Sequence, residues 1–394
     1  MSDAGGIYIV AGEASGDLHA ANLVRALQAL RPGIETRGMG GPRLAETGCA
    51  VSVDLTEFAV MGLVRVVPLL GRFLEVINRF RDELAARRPA AVVLIDYPGL
   101  NFILAGVARR LAIPVVYYCC PQLWAWAPWR VRKLQRLARL LLVIFPFEEE
   151  FFRGGAAAVK YVGHPICDAL AAIDRGAAAR ELRARCGVGH GETLVGLFPG
   201  SRRQEVAGLV GAMAAAARNL AGRHAGVKFA FSCLAESRAA MFPSGLPVIT
   251  GPGEPLMAAC DAAMVASGTA ALELAFFRKP MTVVYPLAGW KQTLFRAFTT
   301  TPFISTVNLL AGEEVVGERF IARPADVAAA ADDLSRFLGD AEARRACERA
   351  LAEIADKYLL PGASARAAAE ILELIEREQS IPEAAPGGRP EPVR

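Results

Sequence analysis

Hydrophobic positions along the chain come in short unbroken runs, with little alternation. The runs "IYIVAG", "AVVLID" at 91–96, "PVVYYCC" and "RLLLVIFPF" are continuous aliphatic and β-branched segments. Strands read this way when both faces are covered, as in a parallel sheet. Helical periodicity follows at 18–30, where Arg31-Pro32-Gly33 stops it, then near 101–111 and at 129–138. Residues 165–186 read as a connecting helix. The pattern restarts at "TLVGLFPGSRRQEV", runs through "VKFAFSC", "PVIT", "AAMVASGTAALELA" and "PMTVVYP", and gives way to helices from Ala325 to Glu378.

Strand, turn and helix repeating in this order predicts an α/β chain of two tandem Rossmann-like doubly wound domains. The expected divisions are 1–166, 167–345, C-terminal helices at 346–378 packing back on the first domain, and a Pro- and Gly-rich disordered tail at 379–394. The length of 394 residues agrees, at roughly 150 residues per domain. Ligands in such sheets bind beyond the carboxyl ends of strands, so a cleft between the halves is the expected site.

Charge refines this picture. Net charge is only +4, yet residues 1–164 hold 19 Lys or Arg against 14 Asp or Glu, while the rest holds 25 against 26. Between Tyr97 and Phe147 stand Arg109, Arg110, Arg130, Arg132, Lys133, Arg136 and Arg139 with no acid at all. Such a field suits an anionic ligand or an anionic membrane surface; it also reads as a solvated helix face in an Arg-rich, Ala-rich chain. No apolar segment approaches ~18 residues and the N-terminus lacks a signal-peptide pattern, which predicts a cytoplasmic protein. The eight cysteines form no C-x-x-C pair and the four histidines are scattered, so neither disulfides nor a metal site is expected.

Candidate chemistry lies in the turns. In "FPGSRRQEV", Gly200 and Ser201 open a helix whose free N–H groups favour phosphate oxygens, and Arg202 adds a fork-shaped cation there. The same residues also read as a plain N-cap with a surface arginine. In "VASGTAALELA", Ser267, Gly268 and Thr269 repeat the device, and Glu273 stands one turn inside, placed to accept hydrogen bonds from ribose hydroxyls. Together they suggest a nucleoside diphosphate held without metal, since the chain contains no D-x-D sequence. In "LIDYPGLNF", Asp96 ends a hydrophobic strand, where a carboxylate can take a proton from an attacking hydroxyl or cap the following helix. Trp124, Trp126 and Trp129 can stack on sugars or fill a core. The stretch 60–81 mixes Leu69, Leu70, Phe73 and other apolar residues with arginines; it reads as a helix in a bilayer headgroup region or as a buried helix with a basic edge. "GEASGD", at 12–17, is neither a dinucleotide fingerprint nor a nucleophile elbow.

The blocks "AGEASGDLHAANL", "MGGPRL", "AVMGLVRVVP", "LWAW", "FPFE", "VGHP", "FPGSRRQEV", "ASGTAALELA" and "NLLAGEE" appear in this order over residues 6–375. In this the chain resembles the lipid-A-disaccharide synthases, glycosyltransferases of the two-Rossmann, GT-B type. The resemblance implies transfer of 2,3-diacylglucosamine from its UDP derivative to 2,3-diacylglucosamine 1-phosphate, giving a β-1,6-linked disaccharide 1-phosphate and UDP. It implies Asp96 as general base, Arg202 on the pyrophosphate, Glu273 on the ribose, Asn308 as a residue needed for activity, and Glu13, Ser15 and Asp17 as hydroxyl ligands or helix caps. It further implies no cofactor, no nucleic-acid partner and peripheral association with the inner face of the inner membrane, and leaves a homodimer open. The sequence departs from the family's S-L-P-N-L-L, P-E-[FL]-[IL]-Q and S-P-[SQ]-V-W-A-W at "STVNLL", "GERFI" and "CPQLWAW"; the loss of the Pro and Gln in "GERFI" bears on the loop after Asn308 and on any role for that Gln. A UDP-sugar epimerase or another lipid-linked transferase would share Arg202 and Glu273; a non-catalytic lipid or nucleotide binder would not need Asp96 and Asn308.

Overall fold

A computed structural model describes residues 5–56, 66–287, 292 and 301–380, with residues 66–70 described by backbone alone. The chain forms two compact units. The first is built from residues up to Pro121, Arg130–Val162 and the helix Ala363–Ser380; the second from Gln122–Trp129 and Gly163–Gly362.

The first unit holds seven parallel strands: β1 (Ile7–Ala11), β2 (Thr36–Gly40), β3 (Ala50–Asp54), β4 (Ala91–Ile95), β5 (Val115–Tyr118), β6 (Leu140–Val143) and β7 (Ala158–Tyr161), in the order β3-β2-β1-β4-β5-β6-β7. Every residue of β1, β4, β5 and β6 is buried, as unbroken apolar runs require. The helix Ala14–Leu30 lays Leu23, Val24 and Leu27 into this core. The second unit holds six parallel strands: β8 (Thr193–Phe198), β9 (Val227–Cys233), β10 (Val248–Thr250), β11 (Ala262–Ala266), β12 (Met281–Pro286) and β13 (Gly317–Ile321), in the order β10-β9-β8-β11-β12-β13. Its helix Arg203–Arg223 buries Val206, Leu209, Val210, Met213 and Leu220, one stripe of helical spacing.

The α/β class and the two doubly wound sheets agree with the expectation. Both sheets reverse direction of growth once, between β1 and β4 and between β8 and β11. The C-terminal division is different. The helix Ala341–Tyr358, expected to return to the first domain, stays with the second unit, because its buried Cys347, Leu351, Ile354 and Ala355 pack on the helices Thr269–Phe276, Thr306–Ala311 and Pro324–Gly339. Among the described residues, the part that returns is Ala363–Ser380, which packs on Ala14–Leu30 and buries Ala363, Ala367, Ala368, Ile371, Leu372 and Ile375. Residues 165–186 form two helices, Ile166–Ala171 and Arg175–Arg185, in place of one. Most of the tail call, 381–394, and the first part of the 60–81 call lie outside the described residues.

Candidate active site

Apart from Asn308, which lies on the helix Thr306–Ala311 between β12 and β13, the candidate residues of each unit stand where its strand order reverses, the place at which parallel sheets leave room for a ligand. In the first unit Ala11 pairs Ile95 in register, so the turn after β1 and the turn after β4 are neighbours.

The turn after β1 is organised by its own packing. A Cβ on Gly12 would lie 2.4 Å from the Tyr97 ring, so only glycine leaves the seat in which that ring rests. Glu13 is the N-cap residue of Ala14–Leu30 and is half-buried, and Ser15 is exposed. Asp17 is buried and turned inward. Its carboxylate accepts the backbone N–H of Gly41 at 2.7 Å, Arg43 at 2.9 Å and Leu44 at 3.2 Å, and so caps the short helix Pro42–Ala45. The helix that Asp17 caps is thus Pro42–Ala45 and not the one it belongs to.

Asp96 is half-buried at the end of β4 and has φ 46°, followed by Tyr97 with φ 45°. Its carbonyl oxygen accepts from Asn101 Nδ2 at 2.8 Å and from Tyr117 Oη at 2.6 Å. Burial first, and the Asp96 charge second, push the Tyr117 hydroxyl well above its usual range, which keeps it a donor. The same two influences push the Cys119 thiol well above its usual range, which disfavours the nucleophilic thiolate. Arg130 and Lys133 lie over the Phe102 ring at 4.3 and 5.7 Å. Trp124 is buried, whereas Trp126 and Trp129 are exposed.

In the second unit Gly200 has φ 102°, and a Cβ there would lie 2.5 Å from Glu205 Oε2. That carboxylate accepts the N–H groups of Ser201 and Arg202, each at 3.2 Å, closing a capping box. The helix start is therefore not free in the way the sequence suggested: two of its donors already face an anion of the chain itself. At the same turn the Arg202 guanidinium is largely exposed and 3.3 Å from Glu205 Oε1. Arg238, which donates to the Ser201 carbonyl, stands at the same turn. Sequence reasoning missed both neighbours. Glu205 is legible, being the Glu at the third helical position; Arg238 comes from a separate turn 37 residues on and leaves no local signal.

The turn after β11 is more open. Gly268 has φ 146° and precedes Thr269–Phe276, whose start has no side-chain cap among the described residues; Gly268 and Thr269 are exposed. Ser267 donates to the Ile304 carbonyl at 3.4 Å. Glu273 is half-buried, and burial first and the Glu254 charge second push its carboxyl up to about 7.

Asn308 is fully buried, and its amide is saturated. Nδ2 donates to the Val316 carbonyl and to Glu318 Oε1, both at 2.8 Å, and Oδ1 accepts from Val315 at 2.9 Å and Val316 at 3.0 Å. Glu318 also takes the N–H groups of Ile304 and Ser305. The departures in "GERFI" go together: Gly317 leaves room for Asp333, which a Cβ would meet at 2.6 Å, and Asp333 pairs Arg319 at 2.8 Å.

A family model for lipid-A-disaccharide synthetase matches residues 7–360. The lipid-A-disaccharide synthase of Anaeromyxobacter dehalogenans strain 2CP-1 is 37% identical over 374 residues, 93% of this chain and 96% of the relative. That of Syntrophus aciditrophicus strain SB is 37% identical over 94% of this chain and 98% of its own. Among solved structures, a UDP-GlcNAc 2-epimerase from Neisseria meningitidis bound to UDP-GlcNAc superposes with a TM-score of 0.66 at 15% identity, covering 93% of this chain and all of that one. The spinosyn rhamnosyltransferase SpnG does so with a TM-score of 0.55 at 16% identity over 93% of this chain and 100% of its own. At these identities the structural likeness shows the fold alone.

Proposed function

The chain belongs to the lipid-A-disaccharide synthetase family, and from that premise we propose how its residues divide the work. It is a glycosyltransferase: 2,3-diacylglucosamine passes from its UDP derivative to 2,3-diacylglucosamine 1-phosphate, and UDP is released. The second unit holds the donor. Arg202 takes the diphosphate, the uncapped helix start at Gly268 and Thr269 adds N–H donors, and Glu273 accepts from the ribose. The first unit serves the acceptor. Asp96 removes the proton of the 6-hydroxyl as that oxygen bonds to the anomeric carbon, and the bond to the UDP oxygen breaks with the electron pair going to UDP. Glu13 and Ser15 are offered to sugar hydroxyls. Asn308 acts by holding the segment 304–318, since its amide has no capacity left for a substrate.

The observation that carries this reading is the placing of Asp96 immediately after β4, beside the β1 turn, in a conformation fixed by its surroundings. Asp96→Ala is expected to keep UDP affinity within about twofold and to lower UDP release from the acylated donor by on the order of 10²-fold or more. Titration calorimetry with UDP and a turnover assay check the two halves, and an alanine variant that turns over normally removes Asp96 from the mechanism. Peripheral membrane association is part of the same reading, through the amphipathic helix Val66–Arg87, on which Leu74 is exposed.

A further inference from the structure

Two successive side-chain-bearing residues in the left-handed region are unusual for L-amino acids, and for a bulky aromatic such as Tyr97 the conformation is a strained one. Strain of this kind persists only where the surroundings over-determine it. Here the determinants can be named. The carbonyl oxygen of Asp96 takes the Tyr117 hydroxyl at 2.6 Å and Asn101 Nδ2 at 2.8 Å, and Nδ2 also reaches the Ile95 carbonyl at 3.1 Å. The Asp96 N–H donates to the Tyr118 carbonyl at 3.1 Å. The Tyr97 ring occupies the space that Gly12 leaves by lacking a Cβ.

We propose that Asn101 and Tyr117 are positioning residues that hold the Asp96–Tyr97 turn in its left-handed form and thereby aim the Asp96 carboxylate. Two features set them apart from ordinary core residues. Asn101 is fully buried, and its Oδ1 has no hydrogen-bond partner among the described residues. An unpaired buried acceptor is a cost that an apolar residue of similar size avoids, so the site retains the amide for what Nδ2 does. Tyr117 is likewise buried on β5, where a phenylalanine would fill the core as well; its hydroxyl adds the bond to the Asp96 carbonyl and a side-chain hydrogen bond with Asn101, the other residue that holds this turn. The direction of a Cα–Cβ bond follows from φ and ψ, so a turn relaxed to an ordinary conformation swings the carboxylate away. A general base misplaced by about 1 Å loses on the order of 10²-fold in rate.

This inference rests on the reading of Asp96 as the base, and the test separates the two. Tyr117→Phe and Asn101→Ala are made in the full chain, alone and combined with Asp96→Asn, and assayed for UDP release from acylated donor and acceptor phosphate. The expected result is a kcat lowered roughly tenfold to a hundredfold with the donor KM changed less than about twofold, and no further loss when either change is added to Asp96→Asn. Full kcat in both variants, beside an inactive Asp96→Ala, overturns the positioning role and leaves the base standing. Losses that multiply with that of Asp96→Asn overturn it as well, because the residues would then act on the fold at large. Should Asn101→Ala fail to fold, Tyr117→Phe decides alone. Normal turnover in Asp96→Ala removes the base and this inference with it.

Discussion

Glu273 is a carboxyl whose proton is set by its surroundings. Burial disfavours its charged form, the charge of Glu254 adds to this, and the group is pushed up to about 7 from an ordinary 4.5. A raised folded-state value means that the folded chain binds the proton more tightly than the unfolded one. The stabilisation is complete below about 4.5 and is lost as pH rises through about 7. Thermal unfolding of Glu273→Gln is therefore expected to match the unsubstituted protein near pH 5 and to exceed it near pH 8. The ionised carboxylate is the stronger acceptor of ribose hydroxyls, so UDP affinity is expected to rise between pH 6 and pH 8, and Glu273→Gln to flatten that rise. Calorimetry at both pH values checks it; a slope unchanged by the substitution separates Glu273 from the nucleotide. Asp17 shows the opposite case, a carboxylate in a turn that looks ligand-facing in sequence. Its partners stand 24 to 27 residues ahead, so its use as a cap is a product of the fold and has no trace in the hexapeptide.

At the scale of elements, what was legible is what water exclusion writes into composition. β1, β4, β5, β8, β11 and β12 lie inside their sheets and read as apolar runs because both faces are covered. β3 is an edge strand with exposed ends, and β2 carries two glycines in "TRGMG"; neither has the pattern, so neither is legible as a strand. β13, another edge, hides its strand in "GERFI". The turns after β8 and β11 are legible by their glycines, but the occupation of one helix start by Glu205 is not, because a phosphate site calls for the same residues. The helix Val66–Arg87 carries the membrane reading: Val76, Phe80 and Leu84 are buried, while Phe73 is half-buried and Leu74 exposed. Replacing Phe73 and Leu74 by Ser is expected to reduce flotation with vesicles containing anionic lipid and to leave turnover of detergent-dispersed substrate unchanged. Flotation indifferent to both changes removes this helix from the membrane reading.

At the scale of the whole molecule, the chain crosses from one unit to the other and sends its last helix back. The sequence showed that helices close the chain, but not that the return begins at Ala363, since Ala341–Tyr358 and Ala363–Ser380 are equally amphipathic and only their partners differ. The second unit keeps a complete sheet and the helix Ala341–Tyr358 without the returning segment. The first unit depends on it: Ile371, Leu372 and Ile375 are buried there, each worth about 1.5–3 kcal/mol on exposure to water. Losses of that size compare with the whole stability of a domain, roughly 5–15 kcal/mol. A chain ended at Gly362 is thus expected to keep the unfolding transition of the second unit and its UDP binding, to lose the transition of the first, and to release no UDP from the acylated donor. Scanning calorimetry with and without UDP reads this directly, because a ligand held by the second unit raises only that unit's transition. Two intact transitions in the truncated chain would mean that the helix covers a surface the first unit can expose unaided.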